Sequence, residues 1–219
     1  MRQVILVHTV QTVCSHFEKR VRQALREEVR IDSMLDTYFS SSMNELGYFS
    51  AENMNRLFSI LKAAELAKPA CIPIVCSSLS PYIEKIQPFI SVPLLQIDKR
   101  LGEVAIDGAQ NIMVLASALS PIKPTVSLIE RAAEKADRSV RVDSIHDMRA
   151  FHGMMSGDMQ THEAVMLETA QKIKGYDAIV LAQGSSEYLA DKVEKLTGTR
   201  VVAAPQLLVE DIKTLMECG

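Results

Sequence analysis

Short apolar runs alternate with longer stretches of helical periodicity from one end of this chain to the other, and few folds accommodate that pattern. Val4 to Val7, Val29 to Met34, Ala70 to Val75, Val92 to Ile97, Ile112 to Ala116, Val140 to Ile145, Ala178 to Ala182 and Val201 to Ala203 are brief, and read as buried strands. Helices are predicted between them. The first runs from about Thr12 to Glu28, with Val13, Phe17, Val21 and Leu25 at 3.6-residue spacing. Others cover Ala51 to Ala67 (capped by Ser50), Asp98 to Gly108, about Pro124 to Ala136, Gly157 to Lys174, Glu187 to Thr197 (ended by Gly198) and Leu208 to Met216. Strands alternating with helices at this spacing predict parallel sheets wound with right-handed crossovers, so the fold class is α/β with helices on both faces. The polar stretch from Asp36 to Tyr48, with Ser40-Ser41-Ser42 and Gly47, reads as an irregular lid or binding loop. Met154, Met155, Met159 and Met166 read as core filler, and Thr161-His162-Glu163 as helix surface.

Length and charge bound the functions open to such a fold. The 219 residues allow one large domain or two of roughly 100 residues each. A net charge of −3 shows no basic face, so neither nucleic acid nor an anionic membrane is the expected partner. No segment has the ~18 uninterrupted apolar residues of a membrane span. The opening Met1-Arg2-Gln3-Val4-Ile5-Leu6-Val7-His8 lacks a small-residue cleavage site and reads as a first strand, which predicts a cytoplasmic protein. Cys14, Cys71, Cys76 and Cys218 fit neither a zinc site nor a disulfide framework, so reduced thiols are expected. His146, His152 and His162 carry no metal-ligand spacing, and no glycine-rich phosphate loop follows the first strand.

The stretch richest in chemistry is Ile72-Pro73-Ile74-Val75-Cys76-Ser77-Ser78-Leu79-Ser80-Pro81. Its apolar run is a strand, and Ser80 with Pro81 marks the start of a helix that ends at Pro88. Cys76, Ser77 and Ser78 then lie in a strand-to-helix loop at the carboxyl end of a parallel strand, where ligands bind and free amides favour an anion. Nearby amide dipoles stabilise a thiolate, which makes Cys76 a proton-transfer or nucleophilic residue. The same position also suits a small buried residue closing a strand.

A repeat runs through the alternation. A shift of 107 residues lays Ile72 to Ser78 over Ile179 to Ser185 and carries Cys76 onto Gln183, while a shift of 109 lays Val4 to His8 over Met113 to Ser117. This predicts two similar α/β halves, residues 1–97 with about 206–219 and residues 98–205, facing each other across a cleft. The loops at His8 and Cys76 are expected on one wall, and those at Ser117 and Gln183 on the other.

Several of these stretches together resemble the aspartate/glutamate racemase superfamily, which includes hydantoin racemase, maleate cis-trans isomerase and arylmalonate decarboxylase. They are Val75-Cys76-Ser77-Ser78-Leu79-Ser80-Pro81, Val114-Leu115-Ala116-Ser117 with Lys123-Pro124-Thr125, Gly157-Asp158 with Thr161-His162, and Val180-Leu181-Ala182-Gln183-Gly184-Ser185. The resemblance implies two pseudo-symmetric domains, no metal, no organic cofactor, and a small carboxylate substrate held between the halves. It also implies two catalytic cysteines, one from each half, on opposite faces of the substrate's α-carbon. Cys76 stands at the first of these positions. Gln183 stands at the second, where the sequence departs from the racemase pattern, and a glutamine has no proton to exchange at neutral pH. Single-thiol reactions of the superfamily, decarboxylation among them, stay open for this reason, although the arylmalonate decarboxylases carry their thiol at the second position.

The expected site is therefore Cys76 as the catalytic residue, with His8, Thr9, Ser77, Ser78, Ser117, Gln183, Gly184 and Ser185 holding the substrate. Ser185, Ser186 and His8 are the alternative sources of a second acid or base. His8 is the best of these because an imidazole titrates near neutrality, although it lies on the wall that carries Cys76 and a polar loop residue bonded to backbone is the plainer reading of it. A non-catalytic small-acid binding protein is the reading from a different class, motivated by Gln183. A homodimer is the default assembly.

Overall fold

The apolar runs become strands of two separate parallel sheets. The computed structural model describes residues 2–25, 29–119 and 121–218. The chain divides into two units, Met1–Lys99 with Pro205–Gly219 and Arg100–Ala204. In the first unit the strands are β1 (Arg2–His8), β2 (Val29–Leu35), β3 (Ile72–Val75) and β4 (Leu94–Gln96), in the order β2-β1-β3-β4. In the second they are β5 (Asn111–Ala116), β6 (Arg141–His146), β7 (Ala178–Leu181) and β8 (Arg200–Ala203), in the order β6-β5-β7-β8. Every pairing is parallel.

The same topology thus occurs twice. In each unit the chain begins in a central strand, moves out to one edge, then returns to pair on the other side of its first strand. The connections that follow β1 and β3, like those that follow β5 and β7, therefore leave toward opposite sides of the sheet, which makes their carboxyl ends the switch point where open parallel sheets bind ligands.

Helices cover the sheets because neither sheet face is polar. In the first unit Ile5, Val7, Ile72 and Ile74 form a core with Phe39, Leu57, Leu61, Ile83 and Ile86. These come from α2 (Tyr38–Leu46), α3 (Ala51–Glu65) and α4 (Ser80–Ile86), α1 being Gln11–Ala24. Side chains alternate along a strand, so Val4, Leu6 and His8 of β1 face the other way, toward Phe17 and Val21 of α1. The second unit carries α5 (Leu101–Ile106), α6 (Ile122–Lys135), α7 (Met148–Met155), α8 (Met159–Ala170) and α9 (Ala190–Thr197), and α10 (Ala204–Cys218) leads back into the first. Among the described residues no helix is long and apolar enough to cross a membrane.

Several elements differ from the sequence reading. Residues 26–28, the last of the expected first helix, lie outside the described residues, as does Ser120. The stretch from Asp36 to Tyr48 is largely helical rather than irregular. Phe39, Ser42 and Met43 form an inward stripe on α2, and Gly47 closes it in the left-handed conformation at φ 72°, donating its N–H to Met43 O at 3.0 Å. Three serines suppress the propensity signal, and packing overrides it. Ser42 is buried and donates to Asn53 Oδ1 at 3.1 Å, so it is a structural residue.

The Gly157–Lys174 region is also resolved differently. A separate α7 precedes α8, with Asp147 capping the one and Asp158 the other, and Gly157 makes the turn between at φ 79°. Met166 is fully buried, whereas Met155 and Met159 are 67% and 44% exposed, so only part of the methionine group fills the core. Gly153 lets α7 and α8 meet: a Cβ there would sit 2.9 Å from His162 N and 3.1 Å from Asp158 O, both backbone atoms.

His8 falls on the α1 face of the sheet. It is fully buried, its ring lies edge-on to Phe17 at 6.2 Å, and among the described residues neither ring nitrogen has a hydrogen-bond partner. Burial pushes its pKa down to about 4, opposed by the Glu18 carboxylate, which itself accepts from Arg22 at 2.8 Å and from Ser33 Oγ at 2.8 Å.

Two stability predictions follow from this packing. An unfolded chain protonates His8 near pH 6.5, whereas the folded chain resists protonation until about pH 4. The unfolded state therefore binds the extra proton, and stability falls as pH drops through this window, by up to about 3 kcal/mol. His8→Phe should flatten that part of the pH profile in denaturant titrations without destabilising the protein at pH 7; an unchanged slope would assign it to other groups. Gly153→Ala should cost about 1–3 kcal/mol in the same measurement, because backbone cannot yield to the new methyl.

Candidate active site

Each switch point is built the same way. Val7 pairs with Ile74 in the first sheet, and Leu115 with Leu181 in the second. Two residues further along, Thr9 stands beside Cys76 and Ser117 beside Gln183. The register thus places Thr9 at the position of Ser117, one residue on from the His8 equivalence that the 109-residue shift suggests. A hydroxyl follows the first central strand in both units, and in both it bonds to a residue just past the second, Cys76 directly after β3 and Gln183 two residues after β7.

Cys76 is half-buried at the end of β3, beside the core that holds Ile72, Ile74 and Leu79. Four groups bond to its sulfur: the Thr9 hydroxyl, the backbone N–H of Ser78, the backbone N–H of Leu79 and the Ser78 hydroxyl. These arise from a tight turn, in which Leu79 N–H also donates to Cys76 O at 3.1 Å and Ser80 N–H to Ser77 O at 3.2 Å. The helix begins at Ser80, with Leu79 in the capping position and no side-chain cap. Ser80 is therefore the first helical residue rather than the cap expected from sequence, and its buried Oγ has no partner among the described residues. A 3-10 turn at Gln87–Phe89 carries the chain through Pro88.

Burial pushes the Cys76 thiol up, and the four hydrogen bonds pull it down without reversing the shift. The resting sulfur is thus a protonated thiol surrounded by donors. The sequence expectation of a thiolate favoured by amides captures the donors but not the larger cost of desolvation. Such a group gives up a proton to a carbanion, and the donors then hold the thiolate that remains.

The remaining expected residues divide between the units. Ser77 and Ser78 are exposed in the Cys76 turn, and Thr9 is buried behind it. His8 is close in sequence but belongs to the opposite face of the sheet, beside Phe17 and Glu18. In the second unit Gln183 Oε1 accepts from Ser117 N at 2.8 Å and from Ser117 Oγ at 2.9 Å. Ser117 is fully buried, Gly184 is exposed and Ser185 is half-buried at the start of a 3-10 turn, Gly184–Leu189.

Two features escaped the sequence reading. His162 is fully buried rather than on a helix surface, with Nδ1 3.0 Å from Ala150 O and Nε2 3.4 Å from Ser186 Oγ. The signal was present in its spacing with Val165, Met166, Thr169 and Ala170, which bury the same face of α8. The second is a cavity of about 400 Å³ at the carboxyl ends of β1 and β2, floored by Val7, Met34 and Ile60. Asp36, Tyr38 and Arg56 line its polar side. Arg56 pairs with the Asp36 carboxylate at 2.5 Å and stacks its guanidinium 4.9 Å from the Tyr38 ring centroid. Among the described residues no group of three or more metal-ligating side chains comes together.

This arrangement has counterparts among known structures. The Picrophilus torridus aspartate racemase matches with a TM-score of 0.77 at 14% identity, over 99% of this chain and 95% of that one. An allantoin racemase from Klebsiella pneumoniae matches with a TM-score of 0.69 at 12% identity, over 100% and 89%. A glutamate racemase from Francisella tularensis, in complex with D-glutamate, matches with a TM-score of 0.68 at 11% identity, over 98% and 80%. At these identities the likeness is one of fold. No curated protein matches the sequence significantly. The model of the Asp/Glu/hydantoin racemase family matches residues 4–212, nearly the whole chain, and the protein belongs to that family.

Proposed function

We propose that this racemase-family enzyme acts at the α-carbon of a small carboxylate or amino acid without a cofactor, with Cys76 as the proton-transfer residue. The observation that carries the reading is the half-buried Cys76 thiol at the switch point of the first sheet, with the Thr9 hydroxyl and the Ser78 and Leu79 amides bonded to its sulfur. In the protonating direction the carbanion's electron pair takes the proton from Sγ, and the S–H electrons stay on sulfur as a thiolate. The reverse step removes an α-proton. Charge that develops on the substrate's carboxylate oxygens is met by donors fixed in advance, which is where such sites gain most of their rate. Ser77 offers a hydroxyl for this purpose in the first unit, the Ser78 hydroxyl being engaged at the Cys76 sulfur. The cavity beside Val7, Asp36 and Arg56 lies on the same sheet edge and suits the substrate's side chain. A working thiol needs a reducing compartment, which supports a cytoplasmic location.

Gln183 favours a second reading, a single-thiol decarboxylase or cis-trans isomerase of the same superfamily. Its side-chain oxygen is occupied by Ser117, and a primary amide neither gives nor takes a proton at neutral pH.

Proton NMR in D2O on amino acids, hydroxy acids, arylmalonates and maleate separates these readings. Exchange with racemisation marks a racemase, exchange with retained configuration a one-base enzyme, and loss of a carboxyl group a lyase. Silence across the whole panel would favour a binding protein and count against the proposal. Cys76→Ala should lower turnover by about 10²–10⁴-fold, the usual worth of a positioned acid or base, with the fold intact by circular dichroism. Retained turnover would remove Cys76 from the mechanism. Because the resting thiol is held above its ordinary pKa, α-proton abstraction should rise about tenfold per pH unit through the neutral range, as the thiolate fraction grows.

A further inference from the structure

We infer that Gln183 is a fixed hydrogen-bond donor for an anionic ligand oxygen, locked in one amide orientation by Ser117. This rests on the small-carboxylate reading above and adds a recognition element to it.

The two ends of a glutamine amide have nearly the same shape, so its orientation follows from its partners. Here the partner decides it. The backbone N–H of Ser117 only donates, and it lies 2.8 Å from Gln183 Oε1. A flipped amide would set N–H against N–H. Ser117 is fully buried, so its N–H has no water to fall back on and needs the glutamine oxygen. The Ser117 hydroxyl adds a second bond to the same oxygen at 2.9 Å.

Both bonds converge on Oε1, and Nε2 is left facing away from Ser117. Among the described residues no acceptor engages it, and it is not one of the buried polar atoms without partners, so it is open to ligand or solvent. Two N–H bonds on one planar nitrogen match an acceptor-only group such as a carboxylate or the enediolate formed by α-deprotonation. An amide does not titrate, so this contribution is the same at every working pH. The corresponding hydroxyl in the first unit, Thr9, bonds to a thiol instead. One hydroxyl position thus supports a proton carrier in the first unit and an oriented donor in the second.

Side-chain amide NMR on ¹⁵N-labelled protein tests this with malonate as the probe. The Gln183 pair is identified by its loss in Gln183→Glu. Malonate should shift that pair equally in the wild type and in Cys76→Ala. Ser117→Ala keeps the backbone N–H that sets the amide orientation and removes only the second bond, so malonate binding should weaken by no more than about tenfold. Ser117→Thr, which installs the residue type found at the equivalent place in the first unit, should restore it. Gln183→Glu keeps an acceptor for Ser117 but replaces Nε2 with oxygen, so it should weaken binding further while melting near the wild-type temperature. A Gln183 pair that stays still throughout the titration, or malonate binding unchanged in Gln183→Glu, overturns the inference. The Cys76→Ala arm separates the two claims: loss of α-proton chemistry there leaves this result standing, and a still Gln183 pair leaves the role of Cys76 untouched.

Discussion

Parallel pairing between two strands whose connections leave in opposite directions creates a switch point at their carboxyl ends, and the candidate site depends on it. β1 and β3 make it in the first unit, β5 and β7 in the second. The register then dictates which residues meet there. With Val7 opposite Ile74 and Leu115 opposite Leu181, Thr9 is brought to Cys76 and Ser117 to Gln183. A slip of one residue would turn both partners to the other face of the sheet and dissolve the pair. The apolar strands that hold this register, Ile72 to Val75 and Ala178 to Leu181, are buried along their whole length.

Within this shared frame the two units have diverged in chemistry. In the first, burial keeps the Cys76 proton on sulfur while hydroxyl and amide donors wait for the charge that would follow its loss. Desolvation and hydrogen bonding oppose each other there, and the balance keeps a proton on sulfur, whereas a thiol already ionised would have none to give. In the second unit the equivalent residue has no proton to move, and its environment fixes an orientation instead of a charge. His8 shows the same physics on the other face of the sheet. It is an imidazole with no partner for either nitrogen among the described residues, kept neutral by burial on the α1 face.

Much of the architecture was readable in the chain. The α/β class follows from apolar runs alternating with helical stretches, and the position of Cys76 at a strand end follows from the breakers around its strand. Ser50 and Gly198 marked helix ends where the structure has them. Failures cluster where local signals were weak or conflicting. α2 was hidden by its serines, since its apolar stripe is short and its stability comes from Leu57 and Leu61 beneath it. His162 was read as surface because a polar residue on a helix usually is, although its spacing with buried neighbours pointed inward.

The sequence by itself determined the strand-helix alternation, the twofold repeat and the residue types at the ends of the central strands, because apolar period and breaker positions are local properties. Which of those residues touch was decided only by tertiary structure. His8 and Thr9 are adjacent in the chain, yet strand alternation sends one to Phe17 and Glu18 and the other to Cys76. The orientation of the Gln183 amide and the upward shift of the Cys76 thiol likewise depend on a backbone N–H 66 residues away and on the packing of a core, and neither exists until the sheets have formed.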